Sequence, residues 1–167
     1  MPVGEAPHRE IEQDPGAEVR YELCRLAVDG DDRLSVSRRE IDRPGPSYTV
    51  DTLRALREES PDDELVLIMG ADQAASLLDW REPEEVLRIA SIAVAAREPT
   101  ARERVHEAVE ALGGADRVRF FSMPGIEVSS SMIRDRIATD RPFRQLVPAA
   151  VADQIERAGL YRAGVAT

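Results

Sequence analysis

The sequence predicts an α/β protein built on a mainly parallel β-sheet. Four short strand-like runs alternate with segments whose apolar residues recur at helical spacing. Two of the runs, "ELVLIMG" and "SIAVAAR", are continuously apolar, which is typical of strands covered on both faces of a parallel sheet. A length of 167 residues is enough for one domain with a substantial core.

The sequence predicts four strands. A short alternating run predicts a strand over Arg33–Ser37, and the two apolar runs predict buried strands over Glu64–Gly70 and Ser91–Arg97. A further strand is expected over Val118–Met123. Regular alternation with helices at this spacing favours parallel pairing.

Helices are expected before, between and after these strands. Asp14 and Pro15 suit a helix start, and Gly30 suits its end. Ser47 or Thr49 is expected to cap the next helix. Further helices are predicted in "ADQAASLLDW", in "EPEEVLRIA", over residues 101–112, after the serines at 129–131, and from about residue 147.

No repeat or linker divides the chain, so residues 1–162 are predicted to form a single domain and residues 163–167 a frayed tail. The sequence has no apolar run long enough to cross a membrane. Its polar, acidic opening is unlike a signal peptide, and Cys24 is the only cysteine. A reducing cytoplasm is the expected location.

The charge of the chain bears on its partners. A net charge of −10 argues against a nucleic-acid surface, which needs clustered positive charge. It does not exclude a small anionic ligand held by a few converging cations. All 22 basic residues are arginine, so any phosphate-binding side chain of this kind must be a guanidinium.

Candidate ligand positions follow from the predicted sheet, because ligands of open α/β sheets bind beyond the carboxyl ends of the strands. That rule selects Gly70, Asp72, Arg97 and the serines at 129–131. Gly70 allows close backbone approach and Asp72 could accept ribose hydroxyls. The plainer alternatives are a tight turn at Gly70 and a charged helix start at Asp72.

The run "PGIEVSSSMIRDRI" has two interpretations. Ser129, Ser130 or Ser131 can cap the helix that follows. The free N–H groups of the same helix start, together with Arg134, could instead bind phosphate. The two roles are compatible, since a capped helix still directs N–H groups toward a ligand.

Eight phrases in order carry a family resemblance: "PVGEAPHRE", "SYTVDTL", "LIMGADQ", "LLDW", "VAAREP", "IEVSSSMIRDRI", "RQLVPAAVADQI" and "GLY". They resemble bacterial nicotinate-nucleotide adenylyltransferases from Pro2 to about Tyr161. That family transfers AMP from ATP to nicotinate mononucleotide, giving deamido-NAD and pyrophosphate. The resemblance implies a Rossmann-like doubly wound parallel sheet with flanking helices.

The resemblance also implies site residues for ATP. The family signature Ile-Ser-Ser-Thr-x-Ile-Arg appears here as "VSSSMIR", residues 128–134. It implies that Ser129, Ser130, Ser131 and Arg134 hold ATP phosphates, and that Gly70 and Asp72 lie near the ATP ribose. Mg²⁺ is expected to arrive on the ATP phosphates rather than on a protein-held metal site.

For the second substrate, the resemblance implies a role for "SYT", which is Ser47, Tyr48 and Thr49, and for Trp80 in "LLDW". Trp80 could stack a pyridine ring, and Thr49 or nearby N–H groups could hold its carboxylate. The alternative for a lone tryptophan is a large core residue. His8 and Arg9 match a Pro-His-Lys motif, and Arg97 matches an arginine after the following strand; His106 is expected to be solvated.

One motif of the family has no counterpart in the 167 residues. Gly-x-Phe-x-Pro-x-His-x-Gly-His should open the protein and supply the histidines that stabilise the transferring phosphate. No catalytic residue is therefore assigned in this chain. The expectation is a sheet missing its first strand and helix and most of its second strand, with uncovered apolar edges, poor stability and negligible turnover.

Three alternatives remain open at this point. The chain could be an N-terminally truncated form of an ordinary enzyme, or a non-catalytic nucleotide- or partner-binding remnant. A third is pantetheine-phosphate adenylyltransferase, which shares the serine-helix motif but does not match "SYTVDTL" and "LLDW". The expected ligands are ATP and nicotinate mononucleotide, with no nucleic acid and no membrane, and homo-oligomerisation is left open.

Overall fold

The structure, a computed structural model, describes residues 1–6, 14–96 and 99–162. The chain divides into two units: the sheet unit, Tyr48–Gly125, and the terminal unit, which combines Met1–Ser47 with Ile126–Thr167. None of the described helices has the length and apolar character needed to span a membrane. The expected tail, residues 163–167, lies outside the described residues.

From Thr49 onward the elements follow the order expected from the sequence, with helices on either side of each strand. The strands are β1 (Val66–Gly70), β2 (Ser91–Ala95) and β3 (Val118–Phe121). The described helices are α1 (Ala17–Val28), α2 (Arg39–Asp42), α3 (Thr49–Glu59), α4 (Ala71–Ala75), α5 (Pro83–Ile89), α6 (Pro99–Ala111), α7 (Ser130–Ala138) and α8 (Ala149–Arg157).

The three strands form one parallel sheet in the order β1-β2-β3. This confirms the predicted α/β class with parallel pairing. Met69 of β1 pairs with Val94 of β2, which pairs with Phe120 of β3. The carboxyl ends of the strands therefore meet at one edge, where Gly70 lies beside Ala95.

One face of the sheet carries the core of the sheet unit. Ile92 and Val94 are fully buried at the centre of β2. Leu67 and Met69 of β1 pack against the same cluster from the adjacent strand. Helices α3 to α6 supply the core residues Val50, Leu53, Ala74, Val86, Leu87, Ile89, Val105 and Val109, and Leu77, Ala90 and Ala96 complete the cluster.

The opposite face of β1 is exposed, which corrects the prediction that this strand is buried on both faces. Val66 is 48% exposed and Ile68 is 70% exposed. The reason is that β1 lies at the edge of the described sheet and its side chains alternate between the faces. A continuously apolar run does not reveal which of its faces is covered.

The terminal unit has its own core, formed by Ile137 of α7, Phe143, and three residues of α8. Leu23 and Leu26 of α1 pack against it. The predicted helix is confirmed, although it begins at Ala17 rather than at Pro15. The three α8 residues are Val151, Ala152 and Ile155.

Within the terminal unit, backbone hydrogen bonds join the first residues of the chain to the segment that ends at Ser47. The Gly4 N–H donates to the Ser47 hydroxyl at 3.2 Å, and the Ser47 N–H donates to the Glu5 carbonyl at 2.8 Å. A Cβ on Gly4 would lie 2.1 Å from the Glu40 carbonyl oxygen. Only glycine allows this close approach of two backbone segments.

Two local predictions were wrong. Arg33–Ser37 contains no strand; Leu34 instead closes a turn by donating to the Asp31 carbonyl. Neither Ser47 nor Thr49 caps α3, because Tyr48 occupies the N-cap position without a side-chain bond. In both cases a competing contact, local for Leu34 and distant for Ser47, replaces the structure expected from the pattern.

The two faces of the sheet give a matched pair of stability variants. Ile92→Ala removes a fully buried side chain and is expected to lower the free energy of unfolding by about 2–5 kcal/mol. Ile68→Ala, on the exposed face, is expected to cost less than about 1 kcal/mol. Urea denaturation followed by circular dichroism measures both, and equal losses would contradict the one-sided burial of the sheet.

Candidate functional site

The start of α7 is capped by the first serine of the run. The Ser129 hydroxyl accepts the Met132 N–H at 3.1 Å, and the Ser129 carbonyl accepts the Ile133 N–H at 3.0 Å. Among the described residues, the N–H groups of Ser130 and Ser131 have no hydrogen-bond partner. The plain capping role is therefore present, and two donors still face outward at the positive end of the helix.

Arg134 lies one turn further along α7 and bends back over the helix start. Its guanidinium donates to the Ser131 hydroxyl at 3.1 Å. Its charge also acts on Tyr161: burial raises the pKa of that phenol, and Arg134 opposes the rise. The first turn of α7 thus combines free N–H donors with a cation, a combination that favours an anion.

The carboxyl end of β1 leads directly into α4. Gly70 has φ −76° and ψ 160°, and a Cβ built there would meet no atom of the described residues within 4 Å. Neither backbone strain nor packing against the described residues requires glycine at this position. Free space beside the backbone is what close approach of a ligand would need.

Asp72 lies in the first turn of α4, and its side chain is 95% exposed. Among the described residues, its ion-pair partner is Arg104 of α6, 3.8 Å away, which is beyond hydrogen-bond distance. The carboxylate is therefore free to accept hydroxyl groups. An open depression of about 550 Å³ adjoins it, lined by Asp72, Ala75, Ser76, Leu78, Asp79, Arg104, Glu107 and Ala108.

A second group of predicted residues meets at the start of α3. Arg81, which follows Trp80 in the chain, has its guanidinium carbon 4.6 Å from the centre of the Tyr48 ring. The same guanidinium lies 3.7 Å from Asp51 in the first turn of α3. Tyr48 of "SYT" and Trp80 of "LLDW" also pack against the same core cluster of the sheet unit, as a shared binding site would require.

Trp80 has features of both interpretations given to it. Its side chain packs partly against the core of the sheet unit and is partly exposed. Tyr48 is partly buried against the same core, and Thr49 begins α3. A half-exposed indole beside a helix start can present one ring face to a ligand while the rest of the ring stays packed.

The remaining predicted positions differ in where the structure places them. Ser47 is buried in the terminal unit, where its hydroxyl accepts the Gly4 N–H. His8, Arg9 and Arg97 lie outside the described residues. His106 is exposed, as expected, with its ring centre 5.2 Å from that of Phe120.

Within residues 1–6, 14–96 and 99–162, no group of three or more His, Cys, Asp or Glu side chains is arranged to hold a metal ion. Some acidic side chains of the sheet unit contact arginines. Arg54, for example, donates to Glu82 and holds the pKa of that carboxyl below its ordinary value.

Comparisons with known proteins bear on the identity of these sites. Residues 1–136 match the cytidylyltransferase-like family. A probable nicotinate-nucleotide adenylyltransferase of Thermus thermophilus is 44% identical over 146 residues, 87% of this chain and 74% of that protein. The chain belongs to the nicotinate-nucleotide adenylyltransferase family. A Tropheryma whipplei member, also named probable, is 35% identical over 97% of this chain and 82% of its own length.

Solved structures of the family show the same fold. The nicotinic acid mononucleotide adenylyltransferase of Plasmodium falciparum complexed with NaAD aligns with a TM-score of 0.66 at 11% identity. That alignment covers 95% of this chain and 78% of the other. The structure complexed with APC gives a TM-score of 0.62 at 13% identity, covering 88% and 76%. The predicted Rossmann-like architecture is confirmed.

Two arginines beside the candidate sites were missed by sequence reasoning. Arg81 follows Trp80 directly in the chain, and that adjacency was the available signal. Arg104 lies on α6 and comes near Asp72 only through the packing of α4 against α6. No local pattern could have predicted the second contact.

The serines of α7 are expected to differ in their structural effect. Ser129→Ala removes the cap bond to Met132 and is expected to cost about 0.5–2 kcal/mol of stability. Ser130→Ala, which removes no described hydrogen bond, is the matched control and is expected to be nearly neutral. Chemical denaturation measures both, and equal effects would contradict the assignment of Ser129 as the cap.

Proposed function

We propose that this protein transfers AMP from ATP to nicotinate mononucleotide, forming deamido-NAD and pyrophosphate in NAD biosynthesis. The observation that carries the proposal is the match of 97% of the chain to relatives named for this activity. The fold and the two candidate sites support it, since each offers chemistry that one of the substrates needs. The cytoplasm is the proposed location.

For ATP, the proposed contacts lie at the start of α7 and after β1. The N–H groups of Ser130 and Ser131 and the Arg134 guanidinium would bind phosphate oxygens, with Ser129 holding the helix start in shape. Asp72 would accept ribose hydroxyls, and Gly70 would leave room for the nucleotide. Support comes from the exposed, unsatisfied groups at each position.

For nicotinate mononucleotide, the proposed contacts lie around α3. Trp80 would stack the pyridine ring, and Tyr48 and Thr49 would border it. Ser47, His8, Arg9 and Arg97 remain proposed contacts from the family resemblance. The described hydroxyl of Ser47 already accepts a backbone N–H, so its contribution would be to hold this segment in place.

The reaction requires positioning and charge relief rather than a covalent intermediate. A phosphate oxygen of nicotinate mononucleotide attacks the α-phosphorus of ATP, the new P–O bond forms, and the bond to pyrophosphate breaks. Arg134 and the free N–H groups of α7 would stabilise the charge that develops on the phosphates. Mg²⁺, carried on ATP, would neutralise further phosphate charge; the described side chains offer no cage of their own.

Adenylyl transfer is tested by incubating ATP, Mg²⁺ and nicotinate mononucleotide with the protein and measuring deamido-NAD and pyrophosphate. The family's histidine motif is not among the 167 residues, so turnover by this chain is expected to be low, and nucleotide binding is measured beside it. Arg134→Met is expected to lower kcat/KM about a hundredfold or more.

The controls separate the alternatives. Arg25→Met removes an exposed arginine paired with Glu22 and should leave kcat/KM unchanged. Turnover with phosphopantetheine in place of nicotinate mononucleotide would favour the pantetheine-phosphate enzyme. Nucleotide binding with no turnover would favour the non-catalytic remnant.

Substrate binding is tested independently of catalysis through Trp80, the only tryptophan of the chain. Stacking of a pyridine ring on the indole is expected to quench its fluorescence as nicotinate mononucleotide is added. Adenosine monophosphate at the same concentrations, corrected for absorption, serves as the control. An unchanged spectrum in the presence of calorimetrically verified binding would place the substrate away from Trp80.

A further inference from the structure

Asp72 of α4 and Arg104 of α6 line the same open depression of the sheet unit. Their side chains are 95% and 63% exposed, and a carboxylate oxygen of Asp72 lies 3.8 Å from a guanidinium nitrogen of Arg104. Within the described parts of the chain, neither side chain makes a hydrogen bond. The acceptors of Asp72 and the donors of Arg104 are therefore both open to a ligand.

The packing of α4 against α6 brings the two residues together. Ala74 of α4 is fully buried and Ala108 of α6 is 5% exposed, and small side chains at a contact let two helices approach closely. Val105, which follows Arg104 directly, is fully buried in the core of the sheet unit. The spacing between Asp72 and Arg104 is thus set by their buried neighbours and does not depend on attraction between the two charges.

The pair between Asp72 and Arg104 contributes little to folding, because exposed ion pairs stabilise weakly even in direct contact. Arg88 and Glu85 of α5 make such direct contact through two bonds, at 2.6 and 2.7 Å. The wider pair is distinguished by its position, where α4 follows the carboxyl end of β1 beside a depression of about 550 Å³. Ligands of open α/β sheets bind beyond these strand ends. A role in ligand binding therefore fits the pair better than a role in stability.

The gap between the two side chains suits a hydroxyl group. A hydroxyl oxygen both donates and accepts hydrogen bonds, whereas a carboxylate only accepts and an ammonium only donates. Two atoms 3.8 Å apart can both lie about 2.8 Å from a single oxygen in front of them. Such a hydroxyl would donate to Asp72 and accept from Arg104 at the same time. A ribose offers two adjacent groups of this kind.

We propose that Arg104 binds a ribose hydroxyl of ATP jointly with Asp72 and so makes the protein prefer ATP to its deoxy analogues. The inference rests on the proposed function, in which Asp72 accepts the ribose hydroxyls. Gly70, two residues before Asp72, leaves space beside the backbone for the sugar. Arg104 adds the donor that the hydroxyl oxygen needs and that a carboxylate does not supply.

Arg104 also has an effect of charge that is separate from this contact. Its guanidinium offsets the repulsion between the Asp72 carboxylate and the ATP phosphates in a chain of net charge −10. That offset acts equally on ATP and on analogues that lack one hydroxyl, because all of them carry the same triphosphate. The ratio of their affinities therefore isolates the hydroxyl contact.

The test is calorimetric titration of the 167-residue chain with ATP, 2′-deoxy-ATP and 3′-deoxy-ATP in the presence of Mg²⁺, with nicotinate mononucleotide titrated in parallel. We expect the wild-type chain to bind ATP about tenfold more tightly than the analogue that lacks the bridging hydroxyl, as for a hydrogen bond to a charged group. Arg104→Met should lower this ratio to about threefold or less, because the hydroxyl then keeps only its bond to Asp72.

Two further variants serve as controls. Arg119→Met removes an arginine of β3 that also lies 3.8 Å from a carboxylate, that of Glu64, and is 77% exposed; it should leave every affinity unchanged. Arg104→Lys keeps the charge and N–H donors without the planar fork and should retain part of the preference for ATP. Because Arg104 is exposed, its variants should melt at nearly the temperature of the wild type.

The possible results lead to different conclusions. If Arg104→Met keeps the wild-type ratio of affinities, or if wild type binds all three triphosphates equally, the role of Arg104 is wrong and the proposed function stands. Equal losses for ATP and both analogues would leave Arg104 only its effect of charge and overturn the hydroxyl contact. A loss confined to nicotinate mononucleotide would place the other ribose at this pair and contradict the proposal. If wild type binds neither ATP nor nicotinate mononucleotide, the proposed function fails as well.

Discussion

The parallel pairing of β2 with both of its neighbours is the interaction on which the sheet unit depends. It buries Ile92 and Val94 completely and forces the connecting helices onto the covered face, since parallel strands need a crossover. The same pairing places the carboxyl ends of the strands at one edge, where Gly70 leads into Asp72. In the same unit α3 packs against α5, and the Tyr48 ring lies under the Arg81 guanidinium.

Much of this architecture could be predicted because strand and helix periods are local properties. The runs that became β1, β2 and β3 were identified within two residues at most ends, and the serine helix was expected where α7 begins. Exposure of Ile68 could not be predicted, because it depends on which elements cover each face of the sheet. An apolar run has the same composition whether one face or both are buried.

Whether a contact between site residues could be predicted also depends on whether the contact is local. Ser129 and Arg134 act within one helix, so their spacing in the sequence already implied their proximity. By contrast, the Ser47 hydroxyl accepts a hydrogen bond from Gly4, 43 residues away, and the Arg81 guanidinium stacks on the Tyr48 ring. Contacts between distant segments are set by packing, and a single sequence contains no direct record of them.

The cations at both candidate binding positions, Arg134 and Arg81, are guanidinium groups, as every basic residue other than histidine must be in a chain without lysine. A guanidinium directs its N–H donors in one plane, so two of them can bond the same phosphate or carboxylate group. Both positions therefore offer a planar fork, where a lysine would offer a point charge that adapts to the angle of approach. The orientation of each guanidinium, set by Ser131 for Arg134 and by the Tyr48 ring for Arg81, thus limits the directions from which an anion can be bound.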